Sequence, residues 1–415
     1  MRLRRDKCVI RKTCSLSFVS SRLLSRFGHW LALCAGTGFA LQAFGQANGI
    51  YADFTTSMGS FTCRLEYAIA PKAVASFIGL ATGARPWLDL PTGAARTNAF
   101  YNGLTFHRVV PGFVIQAGSP NGQGTDGPGY VFPDEISPAL RFTNTGILAM
   151  ANTGTNSNGS QFFITATNTP SLNDGYTIFG ELAGGTNVVL AINQVATNGN
   201  SQPLTNVYIQ TVGIRRIGSA ALAFDINAQN LPMVSNLSLQ ISRGTGQVSL
   251  SFSNRLYGDN RLYSSTNLFS PTPELLGIEI GSPITNAVSR STDAPARFYS
   301  LAQIQYPSST FAPKTVFGRK VTLNFNSGVG TITNNFDSVG SGTYSYTTTS
   351  GTSQGTITGY TWTQEPYRGD LWPILFSGLV SMTLQMNFTG GAGGIFNGTA
   401  YTTPPSPVSG TFILN

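Results

Sequence analysis

Two stretches of the chain decide its fold: Phe106-His-Arg-Val-Val-Pro-Gly-Phe-Val-Ile-Gln-Ala-Gly118 and Gly146-Ile-Leu-Ala-Met-Ala-Asn-Thr-Gly-Thr-Asn-Ser-Asn-Gly-Ser-Gln-Phe-Phe-Ile164. Together they combine one arginine with aromatic residues and uncharged amides, all flanked by glycines. A surface of this composition binds apolar, uncharged ligands and donates hydrogen bonds to them. The sequence therefore predicts a binding site built from these two stretches.

Several common kinds of catalytic chemistry have no support in the sequence. His107 is the only histidine after residue 47, which excludes a metal cage of several His or Cys ligands but leaves carboxylate calcium sites open. The chain has no phosphate-binding loop ending in Gly-Lys-Ser/Thr. We therefore expect no metal and no cofactor. Any enzymatic activity must not depend on a metal cage or on a phosphate-binding loop.

The two stretches resemble the signature segments of the cyclophilin family of peptidyl-prolyl cis/trans isomerases. Three further pieces occur in the family's order: Ala70-Pro-Lys72, Tyr101-Asn-Gly103 and Leu172-Asn-Asp-Gly-Tyr-Thr-Ile-Phe-Gly180. The resemblance covers residues 48–217. It implies a mainly β fold with a closed eight-stranded antiparallel barrel capped by two helices. This agrees with the alternating apolar pattern of Ile50 to Tyr67, with its hairpin turn, and with helical spacing near 70–80 and 188–195.

The resemblance also implies the residues of an active groove. It places the catalytic arginine at Arg108, with Gln161 as a second catalytic residue. The implied substrate-binding residues are Phe113, Val114, Gln116, Ala151, Asn152, Phe163, Leu172 and Tyr176. Many cyclophilins carry methionine, tryptophan and histidine where this chain has Val114, Ser171 and Tyr176. These departures affect the rim of the groove and leave its chemical centre unchanged.

The first 47 residues have the composition of an export signal. They hold eight of the 25 basic residues and one of the 17 acidic residues, so 17 basic and 16 acidic residues remain in the rest of the chain. The apolar run Trp30–Leu41 is short for a membrane span, and Gly45-Gln46-Ala47 offers a cleavage site after Ala47. We expect a secreted or periplasmic protein, with an uncleaved membrane anchor as the alternative. Removal of the leader also removes the main argument for a nucleic-acid partner.

Two further β-rich modules are predicted behind the isomerase domain, at residues 218–306 and 307–415. Runs such as Leu237–Ile241, Val248–Phe252 and Val321–Phe325 alternate with the period of two expected of half-buried strands. We expect each module to be a β-sandwich or a barrel-like fold of unknown function.

The sequence leaves two functions open. The first is a folding catalyst that isomerises X–Pro bonds of exported proteins, with proline-containing polypeptides as partners. The second is a secreted protein that binds proline peptides or adheres to a surface or carbohydrate through its β-modules. The Arg108–Gln161–Phe163 set favours the enzyme, because a receptor has little need of the arginine.

Overall fold

A computed structural model describes residues 46–415 with the exception of 254–257, 266–271, 280–284, 292–297, 308–311, 313–315, 317–318, 327, 329, 339, 366, 377–380, 391–392 and 403. The predicted leader, apart from its last two residues, lies outside this description. Among the described residues no helix is long and apolar enough to cross a membrane.

The isomerase-like region is an eight-stranded antiparallel sheet with helices packed against it. The strands and helices up to residue 223 are β1 (Gly49–Thr56), β2 (Gly59–Leu65), α1 (Pro71–Thr82), β3 (Trp87–Asp89), β4 (Ala94–Arg96), β5 (Arg108–Val110), β6 (Val114–Ala117), β7 (Ile147–Met150), β8 (Phe162–Thr165), a 3₁₀ turn (Pro170–Leu172), β9 (Ile178–Gly184), α2 (Thr186–Asn193), β10 (Ile209–Ile217) and α3 (Ser219–Ala223). The order in the sheet is β10-β1-β2-β9-β7-β8-β6-β5, and β3 and β4 form a separate hairpin.

The sheet is open, so the prediction of a closed barrel is wrong. Its edge strands β5 and β10 do not pair with each other. Residues 103–106, which precede β5, meet residues 207–209 at the start of β10 through an isolated bridge between Thr105 and Tyr208 and through single hydrogen bonds, such as that from the Phe106 amide to the Val207 carbonyl (2.9 Å). The pairing with β10 does not extend into β5, because the Val109 amide of β5 donates to the carbonyl of Ser201, a loop residue.

Helix α1 begins where the sequence predicts and is capped from a distance. Pro71 occupies the first turn, where a missing amide hydrogen costs nothing, and Gly83 ends the helix in the left-handed conformation. The preceding Ala70 offers no side-chain cap. The carboxylate of Glu135 instead accepts hydrogen bonds from the Lys72 and Ala73 amides at 3.0 and 2.9 Å. A negative charge at this end also suits the helix dipole.

Two predicted helices correspond to α1 and α2, and the described chain has a third that the sequence analysis missed. Helix α3 is only five residues long, too short to show helical periodicity in the sequence. Its Ala221 lies in the core of the isomerase-like region.

The region after α3 contains two further groups of strands. The strands are β11 (Met233–Asn236), β12 (Gln240–Gly244), β13 (Gln247–Ser253), β14 (Gly258–Ser265), β15 (Thr272–Glu279), β16 (Thr285–Ser291), β17 (Phe298–Gln305), β18 (Lys320–Phe325), β19 (Thr331–Ser338), β20 (Ser341–Thr348), β21 (Gly351–Gly359), β22 (Trp362–Glu365), β23 (Arg368–Phe376), β24 (Met382–Gly390), β25 (Gly393–Ala400) and β26 (Ser406–Leu414). Strands β11-β17-β14-β15 and β12-β13-β16 form two sheets that share an apolar cluster. Strands β18–β26 form a nine-stranded sheet that closes on itself through a pairing of β21 with β23.

The main apolar core does not stop at residue 217. It includes Ile50 and Phe54 of β1 and also Tyr263, Ile304 and Tyr306, which belong to the four-stranded sheet and the residue that follows it. The boundaries of the predicted modules stay predictions. What the packing establishes is that the isomerase-like region and the four-stranded sheet share buried side chains.

Arg85 is the most deeply buried charge of this shared region. Its side chain is 2% exposed, and its Nη2 donates to the carbonyls of Leu231 and Pro232 at 3.3 and 2.7 Å. The aliphatic part of the side chain lies against Gly79 of α1, where a Cβ would overlap the Arg85 stem. The arginine therefore ties α1 to the segment that leads into β11.

We expect Gly79→Ala to destabilise the protein even though alanine favours helices. The added methyl must displace a buried arginine, and overpacking of this kind costs about 1–3 kcal/mol, against about 1 kcal/mol gained in helix propensity. A lowered midpoint in urea unfolding checks this. Gly199→Ala is the matched control, because nothing lies within 4 Å of its added Cβ. Equal midpoints for the two variants would contradict the expectation.

Candidate active site

The candidate site is built on the pairing of three short strands. In the register of this sheet Arg108 of β5 is opposite Gln116 of β6, and Gln116 is also opposite Phe163 of β8. Opposite residues on neighbouring strands project to the same face. One row across the sheet therefore carries the predicted catalytic arginine, an amide and an aromatic ring.

A relay of hydrogen bonds holds the arginine in place. Nη1 of Arg108 donates to Oε1 of Gln116 at 3.3 Å, and Nε2 of Gln116 donates to Oε1 of Gln161 at 3.0 Å. Nε2 of Gln161 in turn donates to the backbone carbonyl of Asp126 at 2.8 Å. The relay ends on the main chain, so each side-chain amide has a fixed orientation. The exposed guanidinium is thus held through its Nη1 nitrogen.

A cluster of apolar side chains lies beside this relay. Its fully buried members are Val114, Phe142, Ile147, Ala149, Phe163 and Ile178, and the predicted Phe113, Ala151, Leu172 and Tyr176 pack against them while staying partly exposed. The ring of Phe163 stacks on Phe142 at a centroid distance of 5.8 Å and meets Tyr176 edge to face at 5.3 Å. Phe163 is therefore held between two aromatic neighbours.

Asn152 joins the two halves of the site. Its Nδ2 donates to the Gly175 carbonyl at 3.1 Å, which ties the loop after β7 to the loop that carries Tyr176. The neighbouring Ala151 amide donates to the Gln161 carbonyl at 2.9 Å. The structure therefore brings all the predicted site residues into one region.

The sequence analysis missed the segment Gly124–Gly129, which forms one side of the site. Asp126 supplies the carbonyl that ends the relay, and Gly124 lies against the ring of His107, with left-handed φ of 76°. A side chain at Gly124 would crowd that ring. The run Gly122-Gln-Gly-Thr-Asp-Gly-Pro-Gly129 is an unusual density of glycines, and this signal in the sequence marks a close approach of backbone.

His107 lies beneath the relay as a neutral side chain. It is 6% exposed, and burial lowers its pKa from the ordinary 6.5 to about 4, assisted by the positive charge of Arg108. The carboxylate of Asp126 and the side chain of Gln161 act in the opposite direction. At neutral pH the site consequently carries the charge of Arg108 without a second cation beside it.

We expect the lowered pKa of His107 to make the folded protein less stable in acid. The unfolded chain binds a proton at this histidine between pH 6.5 and about 4 and the folded chain does not, so the free energy of unfolding falls as the pH falls through that window. The full effect is about 3 kcal/mol at most.

The measurement is the difference in unfolding free energy between wild type and His107→Gln as a function of pH. The difference isolates this histidine from Asp134 and Glu135, whose pKa values are raised by burial and which act with the opposite sign. It should be constant above pH 7 and shift in favour of the variant as the pH drops toward 4. A difference that does not change with pH would contradict a buried neutral histidine.

Comparison with known proteins places these features in context. A family model described as "Cyclophilin type peptidyl-prolyl cis-trans isomerase/CLD" matches residues 51–214. Peptidyl-prolyl cis-trans isomerase B of Streptomyces anulatus is 47% identical over 169 residues, which cover 40% of this chain and 97% of that protein. Probable peptidyl-prolyl cis-trans isomerase A of Mycobacterium bovis is 46% identical over 161 residues, covering 38% and 88%. A crystal structure of a Cryptosporidium parvum cyclophilin-type isomerase is 31% identical, with a TM-score of 0.36, covering 40% of this chain and 98% of that one.

Proposed function

The chain belongs, through residues 51–214, to the cyclophilin-type peptidyl-prolyl cis-trans isomerases, and from this premise we propose that it isomerises X–Pro bonds of exported proteins with Arg108 as the catalytic residue. The observation that supports this assignment is the relay from Asp126 through Gln161 and Gln116 to the guanidinium, next to the pocket around Phe163. It combines a fixed donor with an apolar surface of the kind a proline ring needs.

The reaction makes few chemical demands. Resonance stiffens the peptide C–N bond and sets a barrier of about 18–20 kcal/mol, and X–Pro bonds interconvert over tens to hundreds of seconds. No bond breaks, so neither a nucleophile nor a base is required. In the twisted transition state the prolyl nitrogen recovers its lone pair and becomes a hydrogen-bond acceptor. A donor aimed at that nitrogen binds the transition state more tightly than either planar isomer.

In this mechanism different residues bind the proline ring and stabilise the transition state. Phe113, Phe163 and Leu172 hold the proline ring by apolar contact while the preceding carbonyl rotates. Gln116 and Gln161 orient the Arg108 guanidinium toward the nitrogen, so little reorganisation is needed as charge develops there. The lowered pKa keeps His107 unprotonated at neutral pH, so it adds no positive charge beside Arg108.

We expect Arg108→Ala to lower kcat by about 100- to 1,000-fold, the loss typical of one transition-state hydrogen-bond donor. KM should change little, because the interaction is made only in the transition state. Arg108 is exposed, so the melting temperature should stay near that of the wild type. Arg108→Lys should recover only part of the rate, since an ammonium lacks the planar fork that contacts Gln116 and substrate together.

A matched control is Arg215→Ala, which removes an exposed arginine that pairs with Asp53 on β1, away from the groove residues. Turnover of a proline tetrapeptide by this variant should equal that of the wild type. Wild-type turnover in Arg108→Ala would remove the proposed mechanism.

Export is the part of the proposal that rests on the leader alone. The basic stretch, the apolar run and the small residues at Gly45 and Ala47 support cleavage after Ala47. Expression of the full chain in a bacterium that exports proteins should give a mature protein whose N-terminal sequence begins at Asn48. Recovery of an uncleaved chain in the membrane fraction would favour the anchored alternative, and an uncleaved chain in the cytoplasm would contradict export.

A further inference from the structure

The glycine-rich segment Gly124–Gly129 carries the last link of the relay that orients Arg108. Nε2 of Gln161 donates to the Asp126 carbonyl at 2.8 Å. A main-chain carbonyl can fix a side chain only if the loop that carries it is itself fixed. Three of the six residues of this segment are glycines, which restrict the backbone least of all residues. The geometry of the relay therefore depends on the contacts that hold this segment.

Arg261 of β14 holds the segment from outside the isomerase-like sheet. Its Nη2 donates to the Gly129 carbonyl at 3.3 Å and to the carboxylate of Asp259 at 3.1 Å. The side chains of Arg261 and Asp259 are only 20% and 7% exposed, so water screens this ion pair weakly. The guanidinium is therefore fixed by a charged partner on its own strand, and the Gly129 carbonyl is fixed by the guanidinium.

Strand β14 sets the direction of this arginine. Side chains two residues apart on a strand lie on the same face. Asp259 and Arg261 therefore share a face with Tyr263, which belongs to the main apolar core. In the regular register with β17, Arg261 is opposite Ala302, a fully buried residue of the same core whose small side chain leaves space for the arginine. Arg261 thus takes its position from the four-stranded sheet and not from the loop that it contacts.

Two other contacts hold the backbone on either side of Gly129. The Leu88 amide of the β3–β4 hairpin donates to the Pro128 carbonyl at 2.9 Å. The buried Tyr306, which follows β17, is hydrogen-bonded to the backbone of Val131. Removal of the arginine would therefore leave the segment attached to its surroundings. It would release only the Gly129 carbonyl and the residues that lead back to Asp126.

We propose that Arg261 is a positioning residue for the isomerase reaction: by holding the Gly129 carbonyl, it fixes the end of the relay that orients the Arg108 guanidinium. The proposal rests on the isomerase function proposed above. It gives the four-stranded sheet a part in catalysis, although that sheet lies outside residues 51–214, which the family model matches.

The test measures kcat and KM separately in the full-length protein with a proline tetrapeptide. Arg261→Gln keeps a donor for Asp259 but is too short to reach the Gly129 carbonyl as well. We expect it to lower kcat about ten- to hundredfold, as a displacement of about 1 Å at a catalytic group does. KM should change little, because Arg108 acts only in the transition state. Arg261→Lys, which keeps the positive charge and a long side chain, should recover part of the lost rate.

A double variant separates positioning from a general loss of structure. In the Arg108→Ala background no guanidinium is left to orient. Addition of Arg261→Gln to that background should therefore change kcat by less than about twofold. An equal loss of kcat in both backgrounds would overturn the proposal, because the effect would then not pass through Arg108.

Two controls match the exchange and its cost in stability. Arg243→Gln makes the same exchange at an exposed position on β12 and should leave kcat unchanged. Leu250→Ala removes a fully buried side chain from the apolar cluster that the two smaller sheets share, which destabilises the protein by about 2–5 kcal/mol. Assayed well below its melting temperature, this variant should also keep the wild-type kcat. If it loses as much kcat as Arg261→Gln, destabilisation alone explains the loss and the proposal is overturned.

The outcomes separate this inference from the proposed function. A wild-type protein without turnover would overturn both. If kcat falls in Arg108→Ala but stays at the wild-type value in Arg261→Gln, the positioning role is overturned and the isomerase function stands. A raised KM with unchanged kcat would also overturn it, because Arg261, which lines the open cavity beside Gln161, would then bind substrate directly. If Arg261→Gln fails to fold, Arg261→Lys decides in the same two backgrounds, and a wild-type kcat for it would overturn the proposal.

Discussion

The antiparallel pairing of β6 with both β5 and β8 is the constraint on which the site depends. It places Arg108, Gln116 and Phe163 in one row, and a shift of one residue in either ladder would turn the arginine or the ring to the opposite face. The left-handed Gly118 that follows β6 lies so close to the Ser160 carbonyl that no side chain fits there. That contact fixes how the chain leaves β6 next to the start of β8, and with it the approach of Gln161 to Gln116.

Binding and positioning are carried by different parts of the same surface. The pocket around Phe163 is made by residues that pack on one another and requires no charge, whereas the guanidinium is oriented by a line of amides that ends on the backbone. Neutral His107 beneath them keeps a second positive charge away from Arg108. The guanidinium and the apolar residues therefore take their positions from different contacts.

The sequence indicates which residues form the centre of the candidate site but not what surrounds them, for physical reasons. Arg108, Gln116, Gln161 and Phe163 lie within two continuous motifs, and Leu172 and Tyr176 lie in one further short segment, so these residues could be named from local sequence. The hairpin around Leu88 has no periodicity to reveal it, and its contact with Asn236 joins residues 141 positions apart. The open edge of the sheet also depends on two loops that meet only at an isolated bridge between Thr105 and Tyr208, which no alternating pattern encodes. Contacts between segments far apart in the sequence depend on how their surfaces fit together, and the order of residues does not show this fit.

The buried guanidinium of Arg85 has a consequence for how such a chain can evolve. Its Nη2 donates to the carbonyls of Leu231 and Pro232, which lie beyond the last strand of the isomerase-like sheet. A recombination event that replaced everything after β10 with an unrelated domain would leave a buried cation without those acceptors, and such a charge costs several kcal/mol. The two parts are therefore expected to be inherited as a pair. In a lineage that lost the four-stranded sheet, Arg85 would be among the first residues to drift, together with the glycine in α1 that makes room for it.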